Sequence, residues 1–436
     1  MEMTTRRNEE LKKMYPVTLG DALHVMGSFG IHLDYTVRFK LRLLDAVDGK
    51  LLKEAVEKTQ RRYPYLCVRL QKNENSFYYE DNPAPVAVLH TDKRISLNTE
   101  ETNFHVWGVC YYEDWLYLDF YHGIADGTGM YMVLSTLLYY YCADRYGVTD
   151  HTGVRTLEDP ILPEETSDPM DQLPPLDLSG RQAPQPERVF SLTEDGALTP
   201  SAPQIWDIEI PEAAFVSFSS ANDASPGTMV SILFARTIDA LFPKRQGSIM
   251  HRYIVNARPM LHAEKTHHNC LSGVVFSYTD RVKAMPFARQ CTVHRGATFI
   301  QSDADRVRGQ VMGMTGYYRP ILQGLPTLEA KKQAFGRMMK GGDTRYTYIV
   351  SYVGQWKLDA LSPYILEFWT HVPAANPLLT EIAAINGKIF LSVHHSIQED
   401  LVIKSFLQQL EDNGITYQIR QPSEPDNARF PEPEMI

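Results

Sequence analysis

The feature that most constrains this chain is an interruption. Between Glu158 and Pro203, prolines 160, 163, 169, 174, 175, 184 and 186 sit among acids, Gln and Ser with little hydrophobic periodicity. Such a stretch cannot bury enough apolar surface to fold alone. A loop of that length usually connects domains or carries function. On either side, strand-like and helix-like patterns mix. The chain therefore reads as α/β in the broad sense (α+β), with an N-terminal half (1–160), a Pro-rich linker draped over the surface (161–204) and a C-terminal half (205–436).

In the first half, Tyr35–Leu43 alternates apolar and polar residues as a half-buried strand does. Asp48 and Gly49 open a helical stretch that Pro64 stops, and a strand Leu66–Leu70 follows. Phe104–Tyr112 and Trp115–His122 read as strands around a turn at Glu113 and Asp114, before a long apolar helix Met130–Tyr141. The second half shows strands at Ile205–Ile210, Met250–Asn256, Val274–Asp280, Tyr346–Val353 and Ile389–His394. Helices are expected from Pro211, over Met229–Phe242 and over Gln398–Glu411.

Composition removes several function classes. Lys plus Arg is 43 and Asp plus Glu is 53, a formal net charge of −10, which argues against a general nucleic-acid or anionic-membrane binder. The five cysteines (67, 110, 142, 270, 291) form no CxxC pair and read as reduced core thiols. The polar segment Met1–Met14 offers no signal peptide, and no run reaches the length of a membrane span. A cytoplasmic location is expected.

Chemistry concentrates in Tyr121-His122-Gly123-Ile124-Ala125-Asp126-Gly127, an HxxxDG motif. Strand parity places Leu116, Leu118, Phe120 and His122 on one face, with His122 where the strand ends. A histidine there is partly desolvated, stays neutral near pH 7 and can accept a proton. Gly123, Gly127 and Gly129 are read as making the following turn flexible. With 14 histidines, the motif arises by accident in roughly 4% of such chains. Its strand-before, helix-after setting makes accident rarer still.

The motif resembles the signature of the superfamily containing chloramphenicol acetyltransferase, peptide-synthetase condensation domains, alcohol acetyltransferases and plant BAHD acyltransferases. Further stretches match in order: Arg61-Arg62-Tyr63-Pro64-Tyr65-Leu66, Gly227-Thr228-Met229-Val230-Ser231, Val255-Asn256-Ala257-Arg258-Pro259, His268-Asn269-Cys270-Leu271-Ser272-Gly273 and Ser351-Tyr352-Val353-Gly354. The resemblance implies two chloramphenicol-acetyltransferase-like domains in a V-shaped pseudo-dimer, with an active-site tunnel at their interface. It implies that His122 deprotonates a hydroxyl or amine acceptor, which attacks a thioester carried by coenzyme A or by the phosphopantetheine of an acyl-carrier protein. Asp126 and Gly127 would then be structural, with Asp126 paired to Arg258. Ser351 and Ser277 are the candidate oxyanion donors. A monomer acting on a small-molecule acceptor is expected, with no permanently bound cofactor and no metal.

Three departures matter. Tyr121 replaces the first histidine of HHxxxDG in condensation domains, favouring a stand-alone acyltransferase of the alcohol acetyltransferase type. The Asp-Phe-Gly-Trp-Gly motif of BAHD enzymes is absent, and Tyr352 replaces the Asn of Ser-Asn-x-Gly. The rivals are a non-catalytic recruitment module and a thioester hydrolase. His394-His395 with Glu399 and Asp400 lacks the following glycine and reads as structural. His267-His268 lacks a third metal ligand at the right spacing. Tyr139, Tyr140 and Tyr141 read as packing. Lys244, Arg245, Lys331 and Lys332 are candidates to steer a phosphate-bearing donor, or a solvated face.

Overall fold

The structure, a computed structural model, describes residues 13–27, 35–174, 176, 188–193, 197–343, 345–355, 358–373 and 377–423. Most of the polar N-terminal segment, and Pro175, Pro184 and Pro186 of the linker, lie outside the described residues.

The first half begins with β1 (Met14–Pro16), α1 (Ala22–Gly27), β2 (Thr36–Leu43) and α2 (Gly49–Arg62). Asp48 caps α2, accepting from the amides of Lys50 and Leu51. β3 (Val68–Lys72), β4 (Phe77–Asp81), β5 (Val88–His90), β6 (Trp107–Tyr112), β7 (Trp115–Tyr121) and α3 (Gly127–Tyr146) follow. Two short helices, α4 (Pro163–Thr166) and α5 (Pro169–Gln172), lead out of this half. The second half continues with β8 (Pro200–Pro211), α6 (Glu212–Ala221), α7 (Pro226–Leu241), β9 (Ile249–Asn256), α8 (Arg258–Leu261) and β10 (Leu271–Tyr278). A helical block comprises α9 (Asp280–Lys283), α10 (Phe287–Gln301), α11 (Ala304–Gly324) and α12 (Leu328–Asp343). The chain closes with β11 (Tyr348–Gln355), β12 (Ile365–His371), β13 (Leu378–Ile385), β14 (Lys388–Ile397), α13 (Leu401–Asp412) and β15 (Gln418–Ser423).

These strands make a five-stranded sheet, β12-β2-β7-β6-β5, a seven-stranded sheet, β10-β9-β11-β13-β14-β8-β15, and a small sheet, β1-β4-β3. Both large sheets mix parallel and antiparallel pairs. Each large sheet has its own apolar core: α2 and α3 contribute to the first, α7 and α13 to the second. Full burial of a side chain such as Leu118 or Phe234 contributes about 1.5–3 kcal/mol, so these cores carry most of the stability. The fold is mixed α/β, in two sheet-centred layers.

β12 comes from the second half yet pairs with β2 along Ile365–His371. Its His371 Nε2 sits 2.9 Å from Asp207 of β8, an acid that Lys40 of β2 also approaches at 3.6 Å. The first part of the expected linker is likewise tied down. Glu165 is buried, gripped by both terminal nitrogens of Arg62 and by Tyr65 Oη. Asp168 is buried and accepts from Gly20 N at 2.6 Å. Within 163–172 the chain is thus pinned by Glu165, Asp168 and Met170 and not merely draped, while Pro163, Glu164, Thr166, Asp171 and Gln172 face outward.

Candidate active site

β7 delivers His122 because its apolar side chains lock it inside the five-stranded sheet. Leu116, Leu118 and Phe120 are buried as parity requires, but so are Tyr117, Asp119 and Tyr121 on the other face. Arg38 neutralises Asp119 with two 2.7 Å hydrogen bonds. The ladder stops at Tyr121, and His122 N still donates to Tyr35 O at 2.9 Å. Beyond it Tyr79 Oη donates to Gly123 O at 2.8 Å. Asp126 then caps α3 through Gly129 N at 2.9 Å, starting the helix at Gly127, earlier than periodicity indicates.

None of Gly123, Gly127 and Gly129 has a positive φ, so flexibility is not why glycine stands at 123 and 129. A Cβ on Gly123 would overlap the Tyr121 ring, and one on Gly129 the His267 carbonyl. Close approach is the requirement there.

The turn is anchored from the opposite half of the chain. Arg258, 1% exposed, donates to Asp126 Oδ1 at 2.7 Å and Oδ2 at 2.9 Å, and also to the carbonyls of Thr266 and His268. Cys270 N adds a fourth bond to Asp126 at 3.0 Å. A second strut runs through Asn269, whose Nδ2 donates to His122 O and to Asp21 Oδ1, both at 2.8 Å. Asp21 is fully buried before α1 and accepts from His268 Nδ1 at 2.6 Å. Burial works against charge on His268, but Asp21 and then Asp168 outweigh it and push the imidazole up to about 9.

His122 faces a cavity of about 300 Å³ between the two large sheets. The N-terminal half supplies His24, Tyr35, Thr128 and Tyr131; the floor is one face of β9, β11 and β13, with Arg252, Asn256, Ser351 and Glu381. α11 and α12 add Met314, Tyr318 and Met338. His122 is 9% exposed and stacks on His24 with ring centroids 4.2 Å apart. Burial pushes the His122 imidazole below its usual range, against the pull of its own carbonyl, Asp126, Asp21 and Asn269. His24 is pushed well below by burial, then by His122 and Arg252. A neutral imidazole at a cavity wall can take a proton from a bound nucleophile. The cavity's lining is largely apolar, and no metal-ligand cluster exists among the described residues.

The structure brings His122, Asp126, Gly127, Arg258 and Ser351 to one locality, with Ser351 in the cavity floor. Ser277 is not among the described lining residues: it lies six residues along β10 from the lining Leu271, with its hydroxyl buried. Sequence reasoning missed His24 and Asp21, which precede any strand signal, and Glu381, which sits in a strand with no apolar–polar alternation.

The decoys are accounted for locally. His267 Nδ1 meets Glu165 O, and His394 Nε2 meets Thr370 O. Glu399 accepts from the Thr199 amide and hydroxyl. Tyr140 and Tyr141 accept backbone amides through their hydroxyls, Tyr139 packs on His151, and none lines the cavity. Arg245 is paired with Asp239 and Lys331 is buried on Asn75 O, so neither is free to steer a ligand. All five cysteines are buried and unbridged. No described helix is long and apolar enough to cross a membrane.

No family model matches the chain, and no curated protein matches it. Solved structures do. TRI101 of F. graminearum, complexed with coenzyme A and T-2 mycotoxin, matches over 93% of this chain and 99% of that one, at 12% identity and a TM-score of 0.61. The first condensation domain of the CDA synthetase matches over 92% and 94%, at 14% identity and 0.59. Polyketide synthase associated protein 5 from Mycobacterium tuberculosis matches over 90% and 96%, at 12% identity and 0.58. The chain thus shares the two-domain fold of these structures.

Proposed function

We propose that the protein is an acyltransferase that moves an acyl group from a thioester to a hydroxyl or amine acceptor, with His122 as general base. The observation that carries this reading is a buried, neutral imidazole at the wall of a cavity, on a turn held by two struts from the opposite half of the chain. His122 removes the acceptor's proton as its oxygen or nitrogen attacks the thioester carbonyl. The tetrahedral adduct collapses, the carbon–sulfur bond breaks, and the imidazolium returns the proton to the leaving thiolate. Ser351 is the candidate to hydrogen-bond the developing oxyanion, for which its hydroxyl proton turns away from Glu381. Asp126 and Arg258 hold the turn from outside the cavity lining, and Gly127 starts α3 at its wall.

Coenzyme A as donor is supported by the TRI101 likeness, and a carrier-protein donor by the likeness to the condensation domain. Tyr121 in place of the first histidine of HHxxxDG favours the stand-alone form. The test is thiol release from a panel of acyl-CoAs with alcohol and amine acceptors, wild type against His122→Ala. Acceptor-dependent release that vanishes in the folded variant supports the proposal. Acceptor-independent release indicates a hydrolase, and equal release by the variant removes His122 from the mechanism.

A further inference from the structure

Glu381 is an acid in an unusual place. It stands on β13 in the cavity floor, 9% exposed, within a strand whose eight residues are all buried. Its neighbours are Ser351 and Tyr352 on β11, Ser392 opposite on β14, Tyr131 on α3, and Thr370 on β12. His371 of β12 is committed to Asp207. No ion pair reaches Glu381 among the described residues. The lining's one Lys or Arg, Arg252, is two strands away and two residues back, since Glu381 aligns with Ser351, Ser351 with Ile254, and Arg252 precedes Ile254 by two. Arg252's charge is felt at His24 and Tyr318, not at Glu381.

The cavity is therefore electrically polar: cationic toward α1 and α11, acidic toward α3 and β12. A buried carboxylate is tolerated when a cation pairs with it and is otherwise driven to its neutral acid. Burial, opposed only by Ser351, does hold Glu381 up at about 7. A glutamine would fill the same space at lower cost, so the acid itself asks for a ligand.

We propose that Glu381 binds a basic nitrogen of the acceptor, so that the acceptor carries an ammonium group set apart from the hydroxyl or amine it presents to His122. This rests on the acyl-transfer reading and names the acceptor class for the same cavity. Ammonium binding favours the carboxylate, so affinity rises with pH through about 7 and binding releases part of a proton.

The test measures binding by calorimetry with no donor present, using 1,5-diaminopentane and 1,5-pentanediol on wild type and Glu381→Gln at pH 6, 7 and 8. Wild type is expected to prefer the diamine by about 10-fold or more at pH 8, as one charge-assisted hydrogen bond supplies. In Glu381→Gln the preference and its pH dependence disappear, while diol affinity stays within about 2-fold. A higher melting temperature of Glu381→Gln at pH 8 confirms that the variant is folded. Equal or better binding of the diol by wild type, or a preserved preference in Glu381→Gln, overturns the proposal. Failure of acyl transfer itself is read separately, by His122→Ala against wild type in the thiol-release assay.

Discussion

Removing the charge from Glu381 should stabilise the protein, and only at neutral to alkaline pH. The carboxyl titrates near its ordinary 4.5 when unfolded and at about 7 when folded. A raised folded value means that the native state holds its proton longer, so stability is highest below pH 4.5 and is lost as pH rises through about 7. At about 1.4 kcal/mol per pH unit, the difference amounts to about 3 kcal/mol. The assay is urea unfolding of wild type and Glu381→Gln at pH 5, 6, 7 and 8, reading midpoints. Glu381→Gln should exceed wild type by about 2–3 kcal/mol at pH 8 and differ by under about 1 kcal/mol at pH 5. A difference independent of pH, or a glutamine variant less stable at pH 8, would refute the picture of an unpaired buried acid.

Breaking the Asp126–Arg258 pair leaves a buried charge stranded, so Arg258→Ala should cost about 3–5 kcal/mol. In a cycle with Asp126→Asn, the double variant should lose about 1–3 kcal/mol less than the sum of the singles; additive losses would deny the coupling. Because burial pulls His122 below its usual 6.5, the acid limb of the kcat/KM–pH profile should have its midpoint below 6.5, and a limb above 7 would contradict the base assignment. Asp21→Asn should lower kcat about 10- to 100-fold with little change in KM, by loosening Asn269 behind His122. It should also remove a pH-dependent contribution: His268, held up at about 9, stabilises fully below its unfolded 6.5 and loses that as pH rises through 9. Urea midpoints of wild type, but not of Asp21→Asn, should fall over that interval.

The sequence shows most clearly those elements that meet water on one side. Gly49–Arg62 repeats because one face is exposed, and Thr36–Leu43 alternates because Arg38, Lys40 and Arg42 turn to Asp119, Asp207 and Asp114 on the face away from the core. β13 was invisible because all eight of its residues are buried, which erases alternation. The block α10–α12 was missed for the opposite reason. α10 buries only Gln290, Cys291 and His294, two of them polar, and α11 carries Pro320 inside it. At the site, the HxxxDG turn is legible because its spacing is local. The roles of Asp21, His24 and Glu381 are set by contacts distant in sequence, such as Asp21 with Asn269 and His24 with His122, and no local pattern announces them. The glycines of the turn were legible as necessary, but their reason, crowding by Tyr121 and by His267, needed the structure.

The strand that the second half lends to the first sheet also sets how ligands come and go. β12 is hydrogen-bonded to β2 from Ile365 to His371, with Trp369 buried beneath it. Its Thr370, and Val372 just beyond its end, line the same cavity as His122. The two halves are thereby laced together beside the reacting centre, and hinging them apart would mean unzipping a ladder in a hydrophobic core. A ligand must therefore reach the His122 cavity with that ladder intact, so the seam between the halves acts as a fixed clasp and not as a door.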